Sequence, residues 1–161
     1  MIIIGIDPGL HITGYGILQS TGREVRVVEA GVIKTREKDG FEIRLNEIYT
    51  EFANIITQHQ PDYIAVEELY SHYAHPRTAI VMGHVRGLIF LQAAQSRIQV
   101  VSYAATRIKN SLTGNGRASK KQVIRMVQST LKIGPELESP DTADALAVAL
   151  CHHNALIGAT A

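Results

Sequence analysis

Four carboxylates in this 161-residue chain stand where a folded protein rarely tolerates charge. Asp7 ends the apolar run Ile2-Ile-Ile-Gly-Ile6, and Glu67 ends a second one, Ile64-Ala-Val66. Asp141 and Asp144 are three residues apart in PDTADALAVALC, a spacing that puts both on one helix face. Asp141 by itself reads as a first-turn acid favoured by the helix dipole, behind Ser139 as N-cap and Pro140 at the first helical position. Asp144 has no such reading. It is the only polar side chain from Ala143 to Cys151, and a lone carboxylate there is costly unless it is paired or ligates a metal. In open α/β sheets ligands gather at the carboxyl ends of strands. Asp7 and Glu67, on neighbouring strands, would sit side by side at that edge and repel each other. A hard divalent cation removes the conflict. Four carboxylates with oxygen-only donors suit two Mg²⁺ ions, with Mn²⁺ as substitute. Paired ions of this kind hold the attacking water and the leaving oxygen of a phosphodiester.

The charge distribution points the same way. The formal net charge is +1, yet residues 69–135 contain no Asp or Glu and hold ten Lys and Arg. The rest of the chain carries the remaining 6 basic residues and all 15 acidic ones. Such asymmetry marks a polyanion-binding surface. Lys109, Lys120 and Lys121 fall inside the cationic window and are candidates for phosphate contact or for stabilising transition-state charge. Arg117, in the loop Gly114-Asn-Gly-Arg117, is a candidate backbone contact.

These groups need a frame. The length suits one globular domain over residues 1–157 with a short tail at 158–161, and 45% hydrophobic residues can build its core. No apolar stretch is long enough to cross a membrane. The N-terminal run is too short for a signal peptide, and the single Cys151 excludes an internal disulfide and a cysteine-rich zinc site, so a cytoplasmic protein is expected. The hydropathy pattern predicts strands over 2–7, 13–19 and 25–34 in an antiparallel meander. It then predicts a helix over 40–59, a strand over 63–67, a helix over 77–96 and a strand over 98–102. Two helices around the loop 113–117 follow, the second capped by Ser119, and a last helix runs from 139 to about 155. Right-handed crossovers then give one five-stranded mixed α/β sheet with helices on both faces and the first and fourth strands adjacent. The glycines Gly14 and Gly16 allow close backbone approach at the second strand. The seven His residues form no ligand pattern and are expected on the surface or in loops. The helix over 77–96 is unusually apolar and carries Met82, Gly83 and Gly87, which suits a two-fold interface.

Taken together, GIDPG at 5–9, TGYG at 13–16, AVE at 65–67 and DTADALA at 141–147 resemble the RuvC family of bacterial Holliday-junction resolvases, in that family's order and over nearly the whole chain. The resemblance implies a ribonuclease H-like fold and a homodimer. It also implies Mg²⁺-dependent nicking of two opposed strands of a four-way DNA junction, and a branch-migration motor as a further partner. Carried over by position, the metal-binding acids are Asp7, Glu67, Asp141 and Asp144, the functional lysines are Lys109 and Lys120, and the aromatic that lies against junction bases is Tyr70. The sequence departs from the family at His75-Pro76, where Asn-Ala is usual.

Three other readings compete. An ATP-binding protein of the actin-like class also carries Asp-x-Gly followed by glycines, but it needs a second lobe with a second phosphate loop, and GIDPG does not recur. A junction-binding module without catalysis would not need all four acids. An enzyme of the same fold and chemistry could act on RNA–DNA hybrids or other branched DNA, and only the family motifs separate it from the first reading.

Overall fold

The computed structural model describes residues 1–69, 76–134 and 139–159. β1 (Ile2–Asp7), β2 (Ile12–Thr21) and β3 (Glu24–Lys34) form the expected meander, followed by α1 (Phe41–His59), β4 (Tyr63–Glu67), α2 (Pro76–Gln95) and β5 (Gln99–Tyr103). Three helices complete the chain: α3 (Ala105–Thr113), α4 (Lys120–Leu131) and α5 (Pro140–Ala159). The sheet order is β3-β2-β1-β4-β5. β1 pairs antiparallel with β2 and parallel with β4, and β4 pairs parallel with β5. The two strands whose last residues are Asp7 and Glu67 are therefore direct neighbours that end at the same edge.

Alternation along β1 sorts its side chains between two cores. Ile3 packs with residues of α3, α4 and α5, while Ile4 and Ile6 pack with residues of α1 and α2. Each of these isoleucines is fully buried, worth about 1.5–3 kcal/mol apiece. α1 shows the periodic burial that its sequence predicts, with Ile48, Phe52, Ile55 and Ile56 inward, and ends on Gln60 in a left-handed conformation. α4 starts with a complete capping box: Ser119 accepts from the Gln122 backbone N–H, and the Gln122 side chain accepts from the Ser119 N–H. Pro76 is the first residue of α2, where its missing N–H costs nothing.

α5 is the helix that matters most for the site. Almost every residue from Thr142 to His153 is buried, so it is packed from all sides rather than along one stripe. It sits unusually close to the sheet because β1 and β2 present glycines to it. A Cβ on Gly5 would fall 2.6 Å from the Ala149 backbone nitrogen and would collide with the Ala145 carbonyl. A Cβ on Gly14 would strike the Asp141 carbonyl, its carbonyl carbon lying 2.6 Å away. Gly14 and Gly16 thus serve contact between β2 and α5, a closer function than the sequence alone assigns them.

Two expectations are corrected here. α5 continues to Ala159, past the end predicted near 155, so Gly158 and Ala159 are helical. His152 and His153 are buried, not on the surface. The Tyr103 hydroxyl meets Nδ1 of His152 at 2.7 Å, and the Ser20 hydroxyl meets Nδ1 of His153 at 2.9 Å. Polar partners on β5 and β2 thus meet one nitrogen of each ring, while Nε2 of His152 is buried without a partner among the described residues. No helix among the described residues is long and apolar enough to cross a membrane.

Candidate active site

Asp7 lies at the centre of the acid cluster. Its carboxyl is pushed up from the ordinary value of 3.8 to about 7, first by burial and then by the charges of Asp144, Glu67 and Asp141, with Lys120 opposing. All four sequence-predicted acids therefore act on one point. Glu67 is likewise raised, by burial first and then by Asp144, while Lys109, Lys120 and Arg86 pull it down. The strand pairing supplies Asp7 and Glu67. The glycine-mediated approach of α5 brings Asp141 and Asp144 over the sheet edge from above.

Each acid of α5 also has a local partner. Lys120 Nζ donates to Asp144 Oδ2 at 2.6 Å, and this bond is the main reason its ammonium is held above the usual lysine range. The Ser139 hydroxyl donates to Asp141 Oδ2 at 2.9 Å and accepts from the Asp141 N–H at 3.3 Å. With Asp144 turned onto Lys120 and Asp141 onto Ser139, no three ligating groups among the described residues are drawn into a closed coordination sphere. The donor set nonetheless fits a hard cation. It consists of carboxylate oxygens, and two of the four groups hold their protons above the normal range, through burial first and then through the charge of neighbouring acids.

A small cleft of about 230 Å³ opens beside the acids, lined by Glu67, Lys109, Lys120 and Asp144 among others. Both family-implied lysines thus meet the acids that sequence reading selected. Lys109 arrives from α3 and Lys120 from the capped first turn of α4. Arg117 is exposed in the loop between those helices, its backbone N–H held by the Asn115 side chain at 2.9 Å. Lys121 is exposed next to Lys120 and does not line the cleft. Tyr70 lies outside the described residues, as does His75. Glu68 is exposed and apart from the cluster, as its place one residue beyond Glu67 predicts. His11 is taken up elsewhere, its Nδ1 lying 3.0 Å from the Arg44 guanidinium and 3.2 Å from Glu37.

Arg86 was legible only as one cation among ten. In the fold its guanidinium donates to the Glu67 main-chain carbonyl and, at 3.4 Å, to the Ser102 hydroxyl, and it rests on the Phe90 ring at 5.1 Å. It braces the last residue of β4 from below, on the α2 side. Nothing in its local sequence signals this, because the contact depends on the α2–β4 packing.

Comparison with known proteins gives this geometry a family. A family model described as Crossover junction endodeoxyribonuclease RuvC matches residues 3–152. A protein of that name from Rhodopirellula baltica is 46% identical over 151 residues, 94% of this chain and 85% of the relative. Another from Caldicellulosiruptor saccharolyticus is 42% identical over 153 residues, covering 94% and 92%. Among solved structures, Thermus thermophilus RuvC in complex with Holliday junction substrate superposes with a TM-score of 0.90 at 28% identity, covering 99% of this chain and 97% of that one. The five-stranded mixed sheet with helices on both faces is the ribonuclease H-like resolvase fold. The matched span holds both acidic strand ends, both cleft lysines and the acidic helix face, and the chain belongs to the RuvC family of crossover junction endodeoxyribonucleases.

Proposed function

We propose that this chain resolves four-way DNA junctions in the cytoplasm as a homodimer, each subunit nicking one of two opposed strands. We further propose that Asp7, Glu67, Asp141 and Asp144 hold two Mg²⁺ ions for that purpose. The observation that carries the reading is the fourfold convergence on Asp7 beside a cleft edged by Lys109 and Lys120. When bound, the ions acidify the attacking water and neutralise charge on the departing 3′ oxygen.

The chain's own groups do the rest. Burial raises the cost of an uncompensated Asp7 carboxylate, so the site takes up cations at the expense of protons. Lys120 neutralises Asp144 in their mutual bond, and it is placed to exchange that partner for a phosphate oxygen when DNA enters. Lys109 adds a second positive charge on the same side of the scissile group. Arg86 fixes the Glu67 main chain, so the carboxylate that ends β4 keeps its position while charge develops next to it. Water is the nucleophile and no covalent enzyme intermediate forms, which leaves a 5′ phosphate at a nick that a ligase can seal.

The homodimer is supported by α2. Its outward side exposes Ile80, Phe90 and Leu91, at 60%, 38% and 49% of their full surface, around Gly83 and Gly87. Among the described residues a Cβ on Gly87 would meet no atom within 4 Å, and one on Gly83 only the end of the Leu69 side chain at 4.0 Å, so both leave room for a second copy to approach closely. A branch-migration motor that delivers the junction is the further partner this reading implies.

The experiment is cleavage of a synthetic four-way junction, with linear duplex and an RNA–DNA hybrid as controls, in Mg²⁺ and after chelation. Light scattering gives the mass. The expected outcome is a two-chain particle that converts the junction to two nicked duplexes only with the ion and leaves both controls intact. Preferential cutting of the hybrid would replace the substrate assignment, and undiminished cutting in chelator would remove the ions from the account.

A further inference from the structure

Lys121 follows Lys120 in the chain but does not line the cleft, and it heads a second cationic surface. Lys121, Arg125 and Lys132 stand at i, i+4 and i+11 along α4 and its C-cap, a spacing that places them on one face. All three are exposed, while Val123, Val127 and Leu131 form the buried side of the helix. None of the three has an ion-pair partner among the described residues, whereas Lys120 is bonded to Asp144.

The stripe ends in a groove of about 620 Å³ between the β2–β3 turn and the last turn of α4. Lys132 lines it together with Arg23 and Arg26, and Glu24 is the one acid among its described lining residues. The rest of that lining is uncharged. Arg26 is steadied by Gln19, its Nε donating to Oε1 at 2.7 Å, and both arginines are exposed. The groove lies at the far end of the sheet from the acids. Thr21 pairs with Glu24 there, while Asp7 pairs with Gly14 at the other end. At a rise of about 1.5 Å per residue, Lys121 and Lys132 are about 16 Å apart. DNA advances about 3.4 Å per base pair, so the stripe spans about five base pairs.

Unpaired cations in a row suit a polyanion, either a DNA duplex or an acidic protein segment. Two observations favour DNA. The stripe begins one residue after Lys120, which lines the cleft, so a strand held in the cleft reaches Lys121 without a further partner. Gln128, at i+7, fills the gap between Arg125 and Lys132, so the stripe lacks the apolar anchor that centres a protein–protein interface. The exposed Met126 lies about a third of a turn away around the helix. We propose that a duplex arm of the junction leaves the cleft along α4, one strand's phosphates meeting Lys121, Arg125 and Lys132 in turn. Longer arms continue into the groove of Arg23 and Arg26. Such contacts carry no base information, so they set the direction of the arm and select no sequence. The inference rests on the nuclease reading above.

The test measures junction affinity against salt in chelator, with arms shortened in steps of about five base pairs, the length of the stripe. Wild-type affinity is expected to fall in a step once the arms no longer cover the stripe. A variant combining Lys121→Gln, Arg125→Gln and Lys132→Gln is expected to bind long-armed junctions about tenfold more weakly or worse. Its slope of log affinity against log salt is expected to be shallower by about 2–3, at about 0.9 per phosphate contact. On arms too short to reach the stripe, variant and wild type are expected to bind alike. Arg23→Gln with Arg26→Gln is expected to weaken only junctions whose arms extend about one step further. Circular dichroism checks that both variants are folded. Unchanged affinity and salt slope in the folded triple variant would overturn the assignment and leave the stripe to an acidic protein segment. An equal loss on long and short arms would overturn it too. A wild-type chain that binds no four-way junction, and cuts none in Mg²⁺, would instead refute the nuclease reading beneath it.

Discussion

Asp7 carries an electrostatic debt that the rest of the molecule sustains. Its folded value of about 7 lies above the ordinary 3.8, so the folded state binds its proton more tightly than the unfolded chain does. Without a cation, the contribution of this group to stability is full below about pH 3.8 and is lost as pH rises through about 7. The shift sets a ceiling of about 4 kcal/mol, which solvent at a partly exposed carboxyl reduces to about 1–3 kcal/mol. Asp7→Asn is therefore expected to raise the metal-free melting temperature at pH 8 by about 3–10 °C, and by much less at pH 4.5. His152 and His153 act in the opposite sense. Burial lowers both, so stability falls as pH drops below their ordinary range, but they are common to both proteins and cancel in the difference. Differential scanning calorimetry in chelator checks this, and a variant that melts lower at pH 8 would contradict the burial of charge at Asp7. The acids themselves were legible from sequence because each ends or interrupts an apolar run. Arg86 was not, because its value comes from the Glu67 carbonyl it meets across the packed face.

At the scale of elements, the site depends on how close α5 lies to β1 and β2. The meander, the adjacency of β1 and β4 and the parallel setting of β4 and β5 followed from apolar runs, turn residues and crossover handedness, and helix ends were legible to within a few residues. What sequence reasoning could not reach was the depth at which α5 sits, since that is a property of three glycines facing a helix far along the chain. His152 and His153 were misread for the same reason. Two adjacent imidazoles read as polar surface until Tyr103 and Ser20 arrive from β5 and β2 to meet one nitrogen of each, with Nε2 of His152 left buried and without a partner among the described residues. The glycine contacts give a sharp expectation. A methyl group at Gly5 meets backbone atoms of α5 that cannot swing aside, so Gly5→Ala is expected to cost about 3 kcal/mol or more, beyond ordinary overpacking. Gly14→Ala strikes α5 at Asp141 itself and is expected to reduce cutting further than its loss of stability explains. Urea unfolding beside junction-cleavage rates separates the two effects. Wild-type stability in Gly5→Ala would contradict the close packing.

For the whole molecule, the division of labour follows the two faces of the sheet. The α3–α4–α5 face supplies two acids and two lysines to the edge where β1 and β4 end. The α1–α2 face braces Glu67 from behind and leaves an apolar helix surface exposed, where the proposed second copy would pack. A net charge of +1 conceals this arrangement, because the cationic stretch 69–135 and the acids of the rest of the chain cancel in the sum. The central claim is that this point performs the cutting and that the cationic surroundings perform the binding. The most direct measurement is a gel shift and a cleavage assay run side by side on one four-way junction with Asp7→Asn in Mg²⁺. The account expects a shift at wild-type protein concentrations with cutting reduced at least a thousandfold, about 4 kcal/mol of lost transition-state stabilisation. Cleavage at the wild-type rate by this variant would contradict it.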